Sequence, residues 1–162
     1  MKVFIAADHT GFILKTSLVE YVRDALSFEI EDLGAHELNP TDDYPDLIGP
    51  CAQKVKENPG SLGIVIGGSG QGEAMTANRI PGIRAAIYYG QAHAIGAIDA
   101  AGAPALDGYD IVRLAREHND ANVLSLAARF LTEEDAKEVV RIFLETPFTG
   151  EERHLRRIKK LG

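Results

Sequence analysis

Leu62-Gly63-Ile64-Val65-Ile66-Gly67-Gly68-Ser69-Gly70-Gln71-Gly72-Glu73 is the stretch that decides the fold. Its opening run, Leu62–Ile66, is apolar and β-branched, the pattern of a strand buried on both faces. Gly67, Gly68, Gly70 and Gly72 then let the chain turn sharply and approach other atoms closely. A short helix is expected from about Glu73. Strand, glycine turn and helix in succession make one β-α unit, and the rest of the chain repeats that alternation.

Working outward, Lys2–Ala7 reads as another buried strand, and Gly11–Leu26 carries Leu14, Leu18, Tyr21, Val22 and Ala25 at helical spacing. Phe28–Leu33 alternates Phe28, Ile30 and Leu33 with acids and is a strand candidate. A loop with Pro40 and Pro45 leads to a helix near Asp46–Glu57, which Asn58-Pro59-Gly60-Ser61 ends by turn chemistry. Arg84–Tyr89 and Asn122–Ala127 are the fourth and fifth strands. Thr132-Glu133-Glu134-Asp135 resembles a capping box and opens a helix with Val139, Val140, Phe143 and Leu144 inward. A basic helix spans about Glu151–Lys160. The alternation implies a doubly wound, Rossmann-like α/β fold: a five-stranded parallel sheet between two helical layers, formed by residues 1–162 as a single domain. Ligands of such sheets bind beyond the carboxyl ends of the strands, where strand order reverses. The loops after strands one and three hold Asp8-His9 and the glycine run.

Length and composition agree. The 162 residues are 45% hydrophobic and 25% charged, the balance of a globular domain with a real core. A formal net charge of -7 argues against a nucleic-acid module. The lone Cys51 allows no disulfide within the chain and no cysteine metal cage, which suits a reducing compartment. The apolar run Val3–Ala7 is too short for a signal peptide or a membrane span, so a cytoplasmic location is expected.

The glycine loop alone fits either a tight structural turn or a cradle whose amides favour an anion. A dinucleotide fingerprint would need a glycine at 73, where Glu73 sits, and no P-loop lysine follows. Glu73 itself is either a partner for the helix dipole or a base whose enediolate product the neighbouring amides stabilise. Asp8-His9 is either a helix cap with a loop histidine, or a carboxylate for a sugar hydroxyl beside an imidazole for a phosphate. His118-Asn119-Asp120 is a solvated turn or a second polar cluster. Arg153 and Arg157, four apart, could grip one phosphate from a shared helix face; a charged, solvated helix end is the simpler reading. His36 and His93 read as surface residues, and no histidine spacing matches a zinc motif such as His-Glu-x-x-His.

Together, Ala7-Asp8-His9-x-Gly11, Asp43-Tyr44-Pro45, Gly67 to Glu73, Ala77-Asn78-Arg79, Ile80 to Ala85, Arg116 to Asp120 and Arg153 to Arg157 resemble the ribose-5-phosphate isomerase type B family. That wider family includes galactose-6-phosphate and allose-6-phosphate isomerases. The resemblance implies a homodimer, or a dimer of dimers, whose active site is shared between subunits, and a reaction on a sugar phosphate without metal or other cofactor. Asp8 and His118 would open the furanose ring as base and acid, and Tyr44 and Asn119 would orient the sugar. His9, Arg129, Arg153 and Arg157 would hold the phosphate, some of them from the neighbouring subunit. Glu73 would carry the proton between C1 and C2 through a cis-enediolate. Ser69 and the amides of Gly70 and Gly72 would stabilise it, with Gly67 and Gly68 completing the cradle.

Many family members have a cysteine base where Gly67 stands; this chain resembles the smaller group with glycine there and glutamate at position 73, leaving Cys51 as a packing residue. The stretch at about 91–109 is longer than the family pattern. It either reshapes the sugar pocket or dimer contact or is a tolerated insertion. The implied reaction is interconversion of ribose 5-phosphate and ribulose 5-phosphate. The alternatives are isomerisation of allose 6-phosphate, galactose 6-phosphate or a tetrose phosphate, or non-catalytic phosphosugar binding.

Overall fold

Strand β1 (Lys2–Ala7) divides its side chains between two cores, because successive residues of a strand face opposite sides. Val3, Ile5 and Ala7 enter one core with Leu18, Val22, Val139, Val140 and Phe143, while Phe4 and Ala6 enter the other with Ile48, Ala52 and Val55. The computed structural model describes residues 1–99 and 101–161. In it β1 is followed by α1 (Phe12–Glu20), β2 (Glu29–Asp32), α2 (Tyr44–Glu57), β3 (Leu62–Gly67) and α3 (Gln71–Ala77). Then come β4 (Ala85–Tyr88), α4 (Asp110–Asn119), β5 (Val123–Ala127), α5 (Glu133–Glu145) and α6 (Glu152–Ile158). The sheet order is β2-β1-β3-β5-β4 and every pairing is parallel. This is the three-layer doubly wound fold expected, and the switch point lies between β1 and β3.

Several boundaries differ from the sequence reading. The first helix does not run unchanged to Leu26; it gives way to a π-helical turn over Tyr21–Ala25, whose wider winding ends in Ser27 at φ 59. β2 is only Glu29–Asp32, so Phe28 and Leu33 flank it and pack on the cores from outside the ladder. α3 starts at Gln71, two residues before Glu73, because Gly70 takes the left-handed backbone (φ 70) that launches the helix. Thr132 is the N-cap of α5, its hydroxyl accepting from the Asp135 N–H at 3.1 Å, the first half of the expected capping box.

α4 is an element the sequence reading lacked. His118 and Asn119 form its last turn rather than a free polar turn, and Asp120 caps it in the left-handed region (φ 45). Arg84 and Arg116 secure the cap. Arg84 donates to the Asn119 and Asp120 carbonyls and the Asp120 carboxylate; Arg116 donates to that carboxylate and the Ala121 carbonyl. Residues 91–99 and 101–109 form no helix or strand, and the segment is pinned at its base by Ala92 N–H donating to Gly108 O at 3.0 Å.

Candidate active site

The glycine loop follows β3 into the carboxyl edge of the sheet, where Asp8 follows β1 and Arg129 follows β5. It is tied to its neighbours by backbone: Ala128 N–H donates to Gly67 O at 2.8 Å, and Arg129 N–H to Gly68 O at 3.2 Å. From beneath, the buried Ser125 hydroxyl donates to Gly70 O at 2.6 Å. Sequence reading missed Ser125; its only signal was a lone hydroxyl inside an apolar strand. The loop's glycines are there because side chains from elsewhere occupy the space. A Cβ on Gly72 would lie 2.6 Å from Tyr44 Cζ, and one on Gly68 would lie 3.1 Å from Arg129 Cζ. Tyr44 and Arg129 thus pack directly against the loop.

Gly67 is the most telling of these positions. A Cβ there would fall 1.9 Å from Glu73 Oε1, far inside any allowed contact. The Glu73 side chain therefore folds back from the first turn of α3 into the place where a residue at 67 would begin. A side chain at 67 would require the Glu73 carboxylate to leave this position.

Glu73 is only 4% exposed. Burial pushes its pKa up, the charge of Asp8 adds to the rise, and a hydrogen bond from its own backbone N–H opposes it. A carboxyl held in this way can gain and lose a proton more evenly than an ordinary one near neutral pH. Asp8 is also buried. Its Oδ1 accepts from the N–H groups of Thr10 (2.9 Å) and Gly11 (3.1 Å), closing a turn ahead of α1 rather than capping it, since the N-cap Gly11 has no side-chain cap bond, and its other oxygen forms no bond to those groups. His9, half-buried, is joined to Asp42. Ser69 is half-buried at the loop's outer rim. Cys51 sits in the second core, and burial pushes its thiol pKa well up, so it is inert.

His118, Asn119, Arg153 and Arg157 are elsewhere. α4 runs back against the strands, so its last turn lies at the amino edge, where the Asn119 carbonyl meets Arg84 just before β4 begins. α6 lies with it. The ring of His154 stacks on His118 at 4.2 Å between centroids, and Thr149 N–H donates to Glu117 O. Arg153 pairs with Glu151 at 2.7 Å. Strands of this length keep the two edges roughly 15 Å apart. One chain therefore places its candidate residues in two separate clusters: Asp8, His9, Tyr44, Ser69, Glu73 and Arg129 at one edge, His118, Asn119, Arg153 and Arg157 at the other. Among the described residues, no group of three or more His, Cys, Asp and Glu side chains could hold a metal ion, and no helix is long and apolar enough to cross a membrane.

Fold and site together define a doubly wound α/β enzyme with a desolvated carboxylate beside a glycine cradle at its switch point. The family model described as Ribose/Galactose Isomerase matches residues 3–106 and 103–161. The chain belongs to that family. It is 39% identical to a probable ribose-5-phosphate isomerase B of Mycoplasma pneumoniae over 98% of this chain and 91% of the relative. It is 36% identical to ribose-5-phosphate isomerase B of Mycobacterium tuberculosis over 100% of this chain and 88% of that one. The solved ribose-5-phosphate isomerase B of Mycoplasma genitalium with bound ribulose-5-phosphate superposes with a TM-score of 0.83 at 37% identity, covering 99% of this chain and 93% of that one.

Proposed function

We propose that this protein interconverts ribose 5-phosphate and ribulose 5-phosphate in the cytoplasm, as a step of pentose phosphate metabolism. One juxtaposition carries the reading: the Glu73 carboxylate occupies the space above Gly67, desolvated and beside Asp8. An aldose–ketose isomerase needs one group that takes a proton from C2 and returns it to C1. A carboxyl with a raised pKa in a water-poor pocket suits both halves of that task.

In this scheme Asp8 removes the anomeric hydroxyl proton while His118 of the partner subunit protonates the ring oxygen, opening the furanose. Glu73 then takes the C2 proton as the C1 carbonyl becomes an enediolate oxygen, and Ser69 with the amides of Gly70 and Gly72 holds that charge. The O2 hydroxyl proton then passes to O1, and Glu73 returns its proton to C1 as the C2 carbonyl forms, which gives the ketose. Tyr44 and Asn119 orient the sugar. His9 and Arg129 hold the phosphate from one subunit, and Arg153 and Arg157 from the other.

The separation of the two clusters across the sheet supports a homodimer in which each subunit lends His118 and its arginines to its neighbour. Glu73→Gln and His118→Gln should each be inactive as pure dimers. Refolded together in equal amounts they should regain about a quarter of wild-type activity, since half the dimers are hybrids with one intact site. No recovery in verified hybrids would place all the groups within single chains and overturn the shared site.

The substrate is tested with a panel: ribose 5-phosphate, allose 6-phosphate, galactose 6-phosphate and a tetrose phosphate. The highest kcat/KM is expected for ribose 5-phosphate. Equal or better turnover of another sugar would sink the assignment, and binding without turnover of any would make the protein a phosphosugar-binding module.

A further inference from the structure

His9 is gripped by a residue distant in the chain. Asp42 lies 33 residues away, in the loop before α2, and its Oδ1 accepts from the His9 backbone N–H at 3.2 Å. The same oxygen lies 2.5 Å from His9 Nδ1. The carboxylate is nearly sequestered at 12% exposure, whereas the imidazole keeps 32%. Its second oxygen, Oδ2, is buried without a hydrogen-bond partner among the described residues. A buried carboxylate oxygen left unpaired is destabilising, so its retention calls for an explanation beyond packing. Asp8, the other carboxylate next to His9 in sequence, is already engaged with Thr10 and Gly11.

With Nδ1 against a carboxylate, the ring carries a proton on Nδ1 and leaves Nε2 as the atom open to a ligand. Nε2 donates rather than accepts in the state where both ring nitrogens carry a proton. A phosphate offers only acceptors or charge, so this is the state it selects. Carboxylates that orient histidines for metals act on the same principle, through the far nitrogen.

We propose that Asp42 is a positioning residue of the phosphate site: it holds the His9 ring through Nδ1 so that Nε2–H is presented to the substrate phosphate. This rests on the reading of His9 as a phosphate ligand. Asp42 touches no substrate and acts only through His9.

The test combines steady-state kinetics on ribose 5-phosphate for wild type, Asp42→Asn, Asp42→Ala, His9→Ala and the Asp42→Ala/His9→Ala double variant with 1H–15N spectra of the histidine rings. Asp42→Asn keeps the shape of the side chain, so it remains informative should the alanine variant fold poorly. Both Asp42 variants should raise KM about tenfold with kcat nearly unchanged, and the effect should vanish when His9 is already alanine. The His9 signals, identified by their loss in His9→Ala, should show a protonated Nδ1 in wild type that disappears in Asp42→Ala. An unchanged KM in both Asp42 variants, an effect that persists without His9, or an unprotonated Nδ1 in wild type would overturn the proposal. Should His9→Ala itself leave KM unchanged, the phosphate role of His9 falls, and the proposal with it. If His9→Ala raises KM and Asp42→Asn does not, only the proposal falls.

Discussion

Glu73→Gln is expected to lower kcat for ribose 5-phosphate by about a thousandfold while the sugar phosphate still binds. The amide fills the same space above Gly67 but can neither take the C2 proton nor return it. Retention of more than a few per cent of wild-type kcat would remove Glu73 from the proton-transfer step. The same substitution should raise stability, and the sign follows from the direction of the pKa shift. Burial raises the folded-state pKa of Glu73 above its ordinary value of 4.5. The folded protein is then favoured most below the unfolded-state pKa, and loses that contribution as pH rises through the folded-state pKa. Glutamine has no such loss. Thermal melts should therefore show the variant more stable than wild type near neutral pH, with the two converging as pH falls toward the ordinary carboxylate range. Equal Tm values at neutral pH would mean that the carboxylate is not desolvated in the folded protein. A site that gains stability when its base is removed carries the usual strain of a functional group held in an unfavourable setting.

Gly67→Ala should be almost as damaging to turnover, though it removes no chemical group. The added methyl would lie 1.9 Å from Glu73 Oε1 and 2.1 Å from Cδ, so the carboxylate must leave the loop. Overpacking of this kind costs roughly 1–3 kcal/mol, and the displaced base is no longer poised over the substrate. Because both changes act on one group, Gly67→Ala combined with Glu73→Gln should have a kcat little below that of Glu73→Gln alone. A multiplicative loss would show that Gly67 contributes independently of Glu73. Gly49→Ala is the control. A Cβ there meets nothing within 4 Å, and Gly49 lies inside α2, so kinetics should be unchanged and stability raised by up to about 1 kcal/mol.

What could be read in the chain was what neighbouring residues decide among themselves. The apolar run Leu62–Ile66 requires a buried strand, four glycines in the next six residues require a turn, and Thr132 caps α5 with a hydroxyl three residues from its donor. From that alternation the parallel sheet follows, and with it the meeting of Asp8 and the glycine loop at the switch point. The exchange of cysteine for glutamate was visible in the resemblance as a pattern. Only the fold shows that Gly67 and Glu73 share one space, brought together by the turn of Gly70.

His118 shows where local reading stops. Val112, Ala115 and Arg116 face inward at helical spacing, but that signal lies beside the aperiodic stretch ending at Tyr109, and the helix went unread. Had α4 been recognised, the parallel topology would have put His118 at the edge opposite Asp8. The partner Asp42 for His9 left no signal and Ser125 for Gly70 only a lone hydroxyl in an apolar strand, the pairs being 33 and 55 residues apart. Such pairs depend on how whole elements stack, which no short window of residues encodes. By itself, then, the sequence determined the layered α/β architecture, the glycine loop and the type of chemistry its residues resemble. The tertiary structure decided which distant side chains touch within an edge, Asp42 on His9 and Tyr44 over Gly72 among them, because such contacts depend on how whole elements stack.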